Sequence, residues 1–308
     1  MRTRRSGRAA SPGRLGGAKG GKAVKSGKAG MGLRVVVSPG AGYCSGVKRA
    51  IKIAQAAAAA ERGKVYSFGP LIHNPQAVES LRKAGIEPLG RIGRGGGTLV
   101  VRSHGASPRD LRAALVAGYR VIDATCPFVR KAQQNARRLH RMGYEVVIVG
   151  ERYHPEVKSI RGCVTGRSRV IEHPESAKGL KFGPKVGIIA QTTIPVDTLA
   201  DVVSRVTRQA KEVLVFNTVC SETARRQDEA RSLARKVDVL LVVGGRNSAN
   251  TTRLGSLCRS ICASTHHIET ADEMDGRWFA KGSKVGIVTG ASTPKWIVDK
   301  VVERLRRF

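Results

Sequence analysis

The chain has 308 residues, 41% apolar and 25% charged, enough to build a buried core; wholesale disorder, a collagen-like repeat and a disulfide-dense miniprotein are excluded. Lys and Arg number 55 against 23 Asp and Glu, a formal net charge of +32, which favours anionic partners: nucleic acid, an acidic protein, a membrane surface or a phosphorylated metabolite. The longest apolar runs, Val239 to Val243 and Ala56 to Ala60, are too short to span a bilayer.

Residues 1–32 read as a disordered basic tail. The first 30 carry nine Lys and Arg, no acid and no periodic apolar face, so they cannot offset the entropy of ordering. No apolar stretch follows the charges, which argues against a secretory signal; the Arg-rich, acid-free character leaves an organellar transit peptide as a second reading. Six cysteines spread thinly along such a chain fit a reducing, cytoplasmic compartment without structural disulfides.

From Leu33 onward, β-branched runs alternate with amphipathic basic stretches, the pattern of an α/β fold with parallel sheets. Strands are predicted at Leu33–Val37, Val65–Phe68, Leu99–Arg102, Arg120–Asp123, Glu145–Val149, Val186–Ala190, Val213–Phe216, Val239–Val243 and Val285–Val288. Within this run a strand followed by a cysteine and a helix occurs three times, at Cys44, Cys126 and Cys220. A second strand and polar loop follow each, with His73, with His154 and Glu156, and with Asn247, Ser248 and Asn250. His73, His154 and Ser248 lie 29, 28 and 28 positions beyond their cysteines. A third strand and loop complete each unit, with His104, with Thr192 and Thr193, and with Ser292. Prolines 75, 108, 127, 155, 195 and 294 follow these loops closely, where a fixed φ and a missing N–H suit a first helical turn.

The expectation is therefore three pseudo-symmetric α/β units with mostly parallel sheets around a central cluster site: 33–125 with Cys44, 126–217 with Cys126, and 218–308 with Cys220. Their polar loops lie between strand carboxyl ends and helix amino ends, where parallel sheets bind ligands and free N–H groups attract anions. Cysteines at helix N-termini are expected to have lowered pKa values and to act as thiolate ligands. Three of them can hold zinc or an iron–sulfur cluster, and the residues leave both open; a cubane on three cysteines keeps one iron free as a Lewis acid. His73, His104, Ser248, Asn250 and Ser292 are neutral or cationic donors suited to phosphate oxygens. Glu156 is the natural proton source among them, and Thr192 and Thr193 can orient a substrate hydroxyl. Cys163, Cys258 and Cys262 read as inert buried thiols.

The segments GAGYCSGVKRAI, FGPLIHNPQAV, SHGASP, DATCPFVRKAQ, YHPEV, AQTT, NTVCSETARRQDEA, GGRNSANTTRL and TGASTP resemble, in order, the motifs of the LytB/IspH family of 4-hydroxy-3-methylbut-2-enyl diphosphate reductases. The likeness runs from about Leu33 to the C-terminus. It implies reductive dehydration of an allylic diphosphate to isopentenyl and dimethylallyl diphosphate, the last step of the non-mevalonate isoprenoid pathway. It further implies a [4Fe–4S] cluster on Cys44, Cys126 and Cys220, and proton supply by Glu156. Thr192 would position the hydroxyl, and His73, His104, His154, Ser248, Asn250 and Ser292 would hold the diphosphate. The implied electron donor is a ferredoxin or flavodoxin, both acidic and complementary to a positive body.

Three departures stand out: Ala249 where many members have a second serine, Lys48 where an acid is common, and the looser SETARRQ after the third cysteine. Two other classes compete. A cluster-dependent dehydratase would turn over without consuming electrons. A nucleic-acid binder is suggested by the charge, but aromatic residues are only 4% and no binding motif appears. Nonspecific nucleic-acid binding by the tail would fall steeply with salt.

Overall fold

A computed structural model describes residues 23–24 and 31–308, apart from Arg62. The tail reading of residues 1–32 falls mostly outside the described residues. Two corrections touch its edge. The pair Ala23–Val24 (β1) lies antiparallel on the first long strand, and Met31 exchanges backbone hydrogen bonds with Phe308 and Gly282, which fastens the start of the body to the C-terminus.

The β-branched runs form strands at the expected places, and they assemble into three sheets whose pairings are parallel apart from β1. The first sheet holds β3 (Val65–Phe68), β4 (Ile86–Leu89), β5 (Thr98–Val101) and β6 (Arg120–Asp123) in the order β4-β3-β5-β6. The second holds β7 (Glu145–Val149), β8 (Ser168–Ile171), β9 (Lys185–Ala190) and β10 (Glu212–Phe216) in the order β8-β7-β9-β10. The third holds β11 (Val239–Val243), β12 (Thr265–Ile268), β13 (Lys284–Thr289) and β2 (Arg34–Val37), with β1 on the edge, in the order β12-β11-β13-β2-β1.

Sequence order assigned residues 34–37 to the first unit; in space β2 pairs with β13 and completes the third sheet. In every sheet the last of the four parallel strands leads to a cysteine: β2 to Cys44, β6 to Cys126, β10 to Cys220. The helix that follows packs on the next lobe. Helix α1 (Ser45–Ala60) buries Val47, Ala50 and Ala54 against Val65 and Val100 of the first sheet. Helix α4 (Pro127–Arg141) buries Ala132, Ala136 and Leu139 against the second, and α7 (Ser221–Ala234) buries Ala230 and Ala234 against the third. The three lobes thus form a closed ring, with a cysteine at each crossing.

Each sheet is covered on both faces, as parallel sheets require. In the second lobe, Val146 and Ile148 face one apolar cluster while Val147 and Val149 face another, the two-residue alternation of a strand. Strands β4, β8 and β12 were not predicted. All three are outer strands, broken by Pro88, Arg169 or paired histidines, so their apolar signal is weak. No helix among the described residues is long and apolar enough to cross a membrane.

Candidate active site

The remaining helices start where the loops were expected to carry chemistry: α2 (Pro75–Lys83), α3 (Pro108–Val116), α5 (Pro155–Arg161), α6 (Val196–Thr207), α8 (Ala249–Arg259) and α9 (Lys295–Leu305). Proline opens α2, α3 and α5 at the first turn and caps α6 and α9. Three strand-to-helix junctions from each lobe turn toward one cavity, which encloses about 780 Å³ with its mouth. Cys44, Cys126, Cys220, His73, His104, His154, Glu156, Thr192, Ser248, Asn250 and Ser292 all line it. Of the loop residues singled out from the sequence, Asn247 alone does not line it.

Cys44, Cys126 and Cys220 are the N-caps of α1, α4 and α7. The Val47 N–H donates to Cys44 Sγ at 3.4 Å, whereas the sulfurs of Cys126 and Cys220 accept no capping hydrogen bond and feel the N–H groups of Phe128 and Val129 and of Glu222 and Thr223 only as an influence that lowers their pKa. All three cysteines are free. Burial nevertheless pushes the Cys126 and Cys220 thiols up, with the neighbouring cysteine sulfurs adding to it. The expected lowering is overturned at these two positions because desolvation outweighs the helix ends. Gly46 shows how tight the crossing is: a Cβ there would sit 2.6 Å from Cys126 Sγ and 4.0 Å from Cys44 Sγ.

The donor set suits a thiolate-held metal group. Three sulfurs converge from three lobes, Val47, Ile72, Phe128 and Val129 supply apolar wall, and no fourth cysteine lines the cavity. The remaining cysteines behave as expected: Cys163, Cys258 and Cys262 are buried in packed interior.

The imidazoles of His73, His104 and His154 form a triangle with ring centroids 4.6, 5.3 and 5.6 Å apart. Each offers a nitrogen within 4.8 Å of the other two. Burial first, with Arg102 adding to it, holds all three below the ordinary histidine value, His154 at about 3, and the neighbouring imidazoles contribute at His104 and His154; the three are therefore neutral rather than cationic donors. His154 Nδ1 accepts the Glu156 N–H at 3.1 Å and caps α5, so the neutral ring carries its proton on Nε2. His73 Nε2 and His104 Nδ1 are buried without a partner. Gly105 at φ +76° turns the chain just after His104, and a Cβ there would meet the Gln133 amide at 2.7 Å.

Glu156 is 2% exposed. Burial raises its pKa to about 7 against the opposing pull of Thr192, whose N–H and Oγ1 donate to the carboxylate at 2.6 and 2.9 Å. The acid is thus half protonated near neutrality, the condition for a proton donor. The Thr192 hydroxyl donates its one hydrogen bond to Glu156, leaving its oxygen lone pairs free to accept. In the third lobe Ser248 caps α8, and Ser292 Oγ donates to the His73 carbonyl at 3.0 Å, which ties the third lobe to the first.

Sequence reading missed four lining or flanking residues. Thr223 and Arg226 of α7 line the cavity beside the cysteines. Arg253 of α8 reaches into the second lobe, donating to Thr193 and pairing with Glu151. Arg102 lowers the proton affinity of all three histidines. Three are arginines in a chain crowded with them, so composition hid them.

Comparison with known proteins gives consistent relatives. A family model described as LytB protein matches residues 35–306. The 4-hydroxy-3-methylbut-2-enyl diphosphate reductase of Geobacter metallireducens is 47% identical over 90% of this chain and 98% of its own; that of Geobacter sulfurreducens is 46% identical with the same coverage. A solved (E)-4-hydroxy-3-methyl-but-2-enyl diphosphate reductase, described as the terminal enzyme of the non-mevalonate pathway, is 41% identical over 89% of this chain and 99% of that one, with a TM-score of 0.68. The Plasmodium falciparum E-1-hydroxy-2-methyl-but-2-enyl-4-diphosphate reductase shares the fold at TM-score 0.82, with 24% identity over 88% of this chain and 86% of that one.

Proposed function

The chain belongs to the LytB family, and from that premise we propose that it reduces 4-hydroxy-3-methylbut-2-enyl diphosphate to isopentenyl and dimethylallyl diphosphate. The convergence of three cysteine junctions and one buried, half-protonated acid on a single cavity carries this reading. The reaction breaks an allylic C–O bond and makes a C–H bond, so it consumes two electrons and two protons and releases water.

Cys44, Cys126 and Cys220 would hold a [4Fe–4S] cluster, which supplies single electrons and an iron vertex without a protein ligand. The chain's own residues do the rest. Neutral His73, His104 and His154 donate N–H groups to diphosphate oxygens, joined by Ser248, Asn250 and Ser292. Arg102 and Arg253 add positive field, since both depress the His154 value. The same arginines argue against a cation among the imidazoles, although three histidines could otherwise hold one. Glu156 keeps a proton at its carboxyl, oriented by Thr192, and the apolar wall excludes water. A small acidic one-electron carrier, a ferredoxin or flavodoxin, matches the basic body, and a cytoplasmic location matches free thiols.

Anaerobic purification with iron and sulfide assay should find about four of each per chain. Turnover should consume two electrons per product. Zinc without sulfide would remove the cofactor from this reading, and turnover without electron uptake would select the dehydratase instead.

A further inference from the structure

Arg226 is the one buried cation among the described residues, 7% exposed. It leaves the second turn of α7, six residues after Cys220, and its side chain lines the cysteine end of the cavity. Its Nη2 donates to the Gly42 carbonyl at 2.9 Å, in the loop that leads into Cys44. Nε and Nη1 are buried without any partner.

Among the described residues no carboxylate forms an ion pair with it. The two nearby acids are engaged elsewhere: Glu229 accepts from Arg225, Ser38 Oγ and the Gly40 N–H, and Glu222 pairs with Arg225. A guanidinium out of water with two unused N–H edges lacks an anion. Among the groups that raise its proton affinity, the Cys44 sulfur acts most strongly.

We propose that Arg226 is the fixed counter-charge of the metal site. Its free N–H edges are left for the anion formed by the Cys44 thiolate and the iron–sulfur group it holds, and its charge makes that group easier to reduce. Hydrogen bonds to cluster sulfur and nearby positive charge both stabilise the more negative, reduced state. Arg226 is on this view a positioning residue that acts through the cluster, away from the His and Ser groups that hold diphosphate. The inference rests on the reading of the three cysteines as cluster ligands.

The test is the midpoint potential of the reconstituted holoenzyme, followed by electron paramagnetic resonance, in wild type, Arg226→Gln and Arg226→Lys. Arg226→Gln should make one-electron reduction about tenfold less favourable, a shift of about 59 mV to more negative potential. Arg226→Lys, which keeps the charge, should shift much less, and the affinity of both for inorganic diphosphate should stay within about twofold. A loaded Arg226→Gln protein at the wild-type potential overturns the proposal, as do equal shifts in both variants or a collapse of diphosphate affinity. Should Arg226→Gln hold no cluster, full iron and sulfide in Arg226→Lys supports the charge role, and loss from both overturns it. Absence of sulfide from the wild-type protein would instead sink the cluster reading itself.

Discussion

The nine junctions of the ring fall into two groups that occupy equivalent places and have had opposite fates. At the first junction of every lobe stands the same residue: Cys44, Cys126, Cys220. At the second stand His73, His154 and Ser248, and at the third His104, Thr192 and Ser292. A group bound by three equal thiolates has no need to tell the lobes apart. A substrate with a charged end and a hydroxyl end does, so the first lobe supplies imidazoles, the second adds the acid, and the third supplies uncharged hydroxyl and amide groups.

The symmetric half predicts the largest effect. Cys44→Ala, Cys126→Ala and Cys220→Ala should each lose the cluster and all measurable turnover, and to the same degree, in iron analysis and activity assay. A variant that keeps a full cluster would make its lobe dispensable and break the equivalence.

The asymmetric half predicts unequal effects. Glu156→Gln should lower kcat by about 10²- to 10⁴-fold while retaining iron, sulfide and substrate affinity. Because burial raises the Glu156 pKa to about 7, the protonated form dominates below that value. Turnover should therefore fall as pH rises through 7, and this limb should vanish in the Gln variant. A limb that persists would place the titrating group elsewhere.

His104→Ala comes next, with an expected loss of diphosphate affinity of about 10- to 100-fold, the equivalent of about 1.5–3 kcal/mol for a hydrogen bond to a charged group, and no change in cluster potential. The histidines also predict acid sensitivity. Their folded pKa values are depressed, so the unfolded chain binds more protons. Stability from this source is complete above the ordinary histidine value near 6.5 and is lost as pH falls from there toward the His154 value of about 3. Urea unfolding between pH 7 and 4 should show this, with a shallower decline in His104→Ala.

Much of this division was legible in the sequence. The three cysteine stations and the loop stations after them recur at matched spacing, so the convergence of their residues was visible before any coordinates. What stayed hidden has physical causes. Strands β4, β8 and β12 lie at sheet edges, where half-exposed positions admit Pro88, Arg169 and His267. The transfer of β2 into the third sheet is invisible because linear order says nothing about which lobe a terminal strand completes. Arg226 and Arg253 are indistinguishable by type from dozens of exposed basic residues, and only burial sets Arg226 apart. Gly46 carries no signal in composition; its meaning is the Cys126 sulfur pressed against it. Gly46→Ala should cost about 1–3 kcal/mol by overpacking, measured by denaturant unfolding of the apo protein.

The smallest expected effect is at Ala249, in the third lobe. Ala249 is the first residue of α8, between Ser248 and Asn250, and lines the cavity. Its N–H belongs to the free first turn that attracts anions, but its methyl group offers no hydrogen bond. Ala249→Ser would add a hydroxyl where the diphosphate is expected, with little change in volume and none in charge. One neutral hydrogen bond contributes about 0.5–1.5 kcal/mol, so calorimetry should find diphosphate binding about two- to tenfold tighter, with kcat and cluster potential unchanged. Weaker binding would mean that the first turn of α8 faces an apolar part of the substrate, and the charged end would then belong to the histidines of the other two lobes alone.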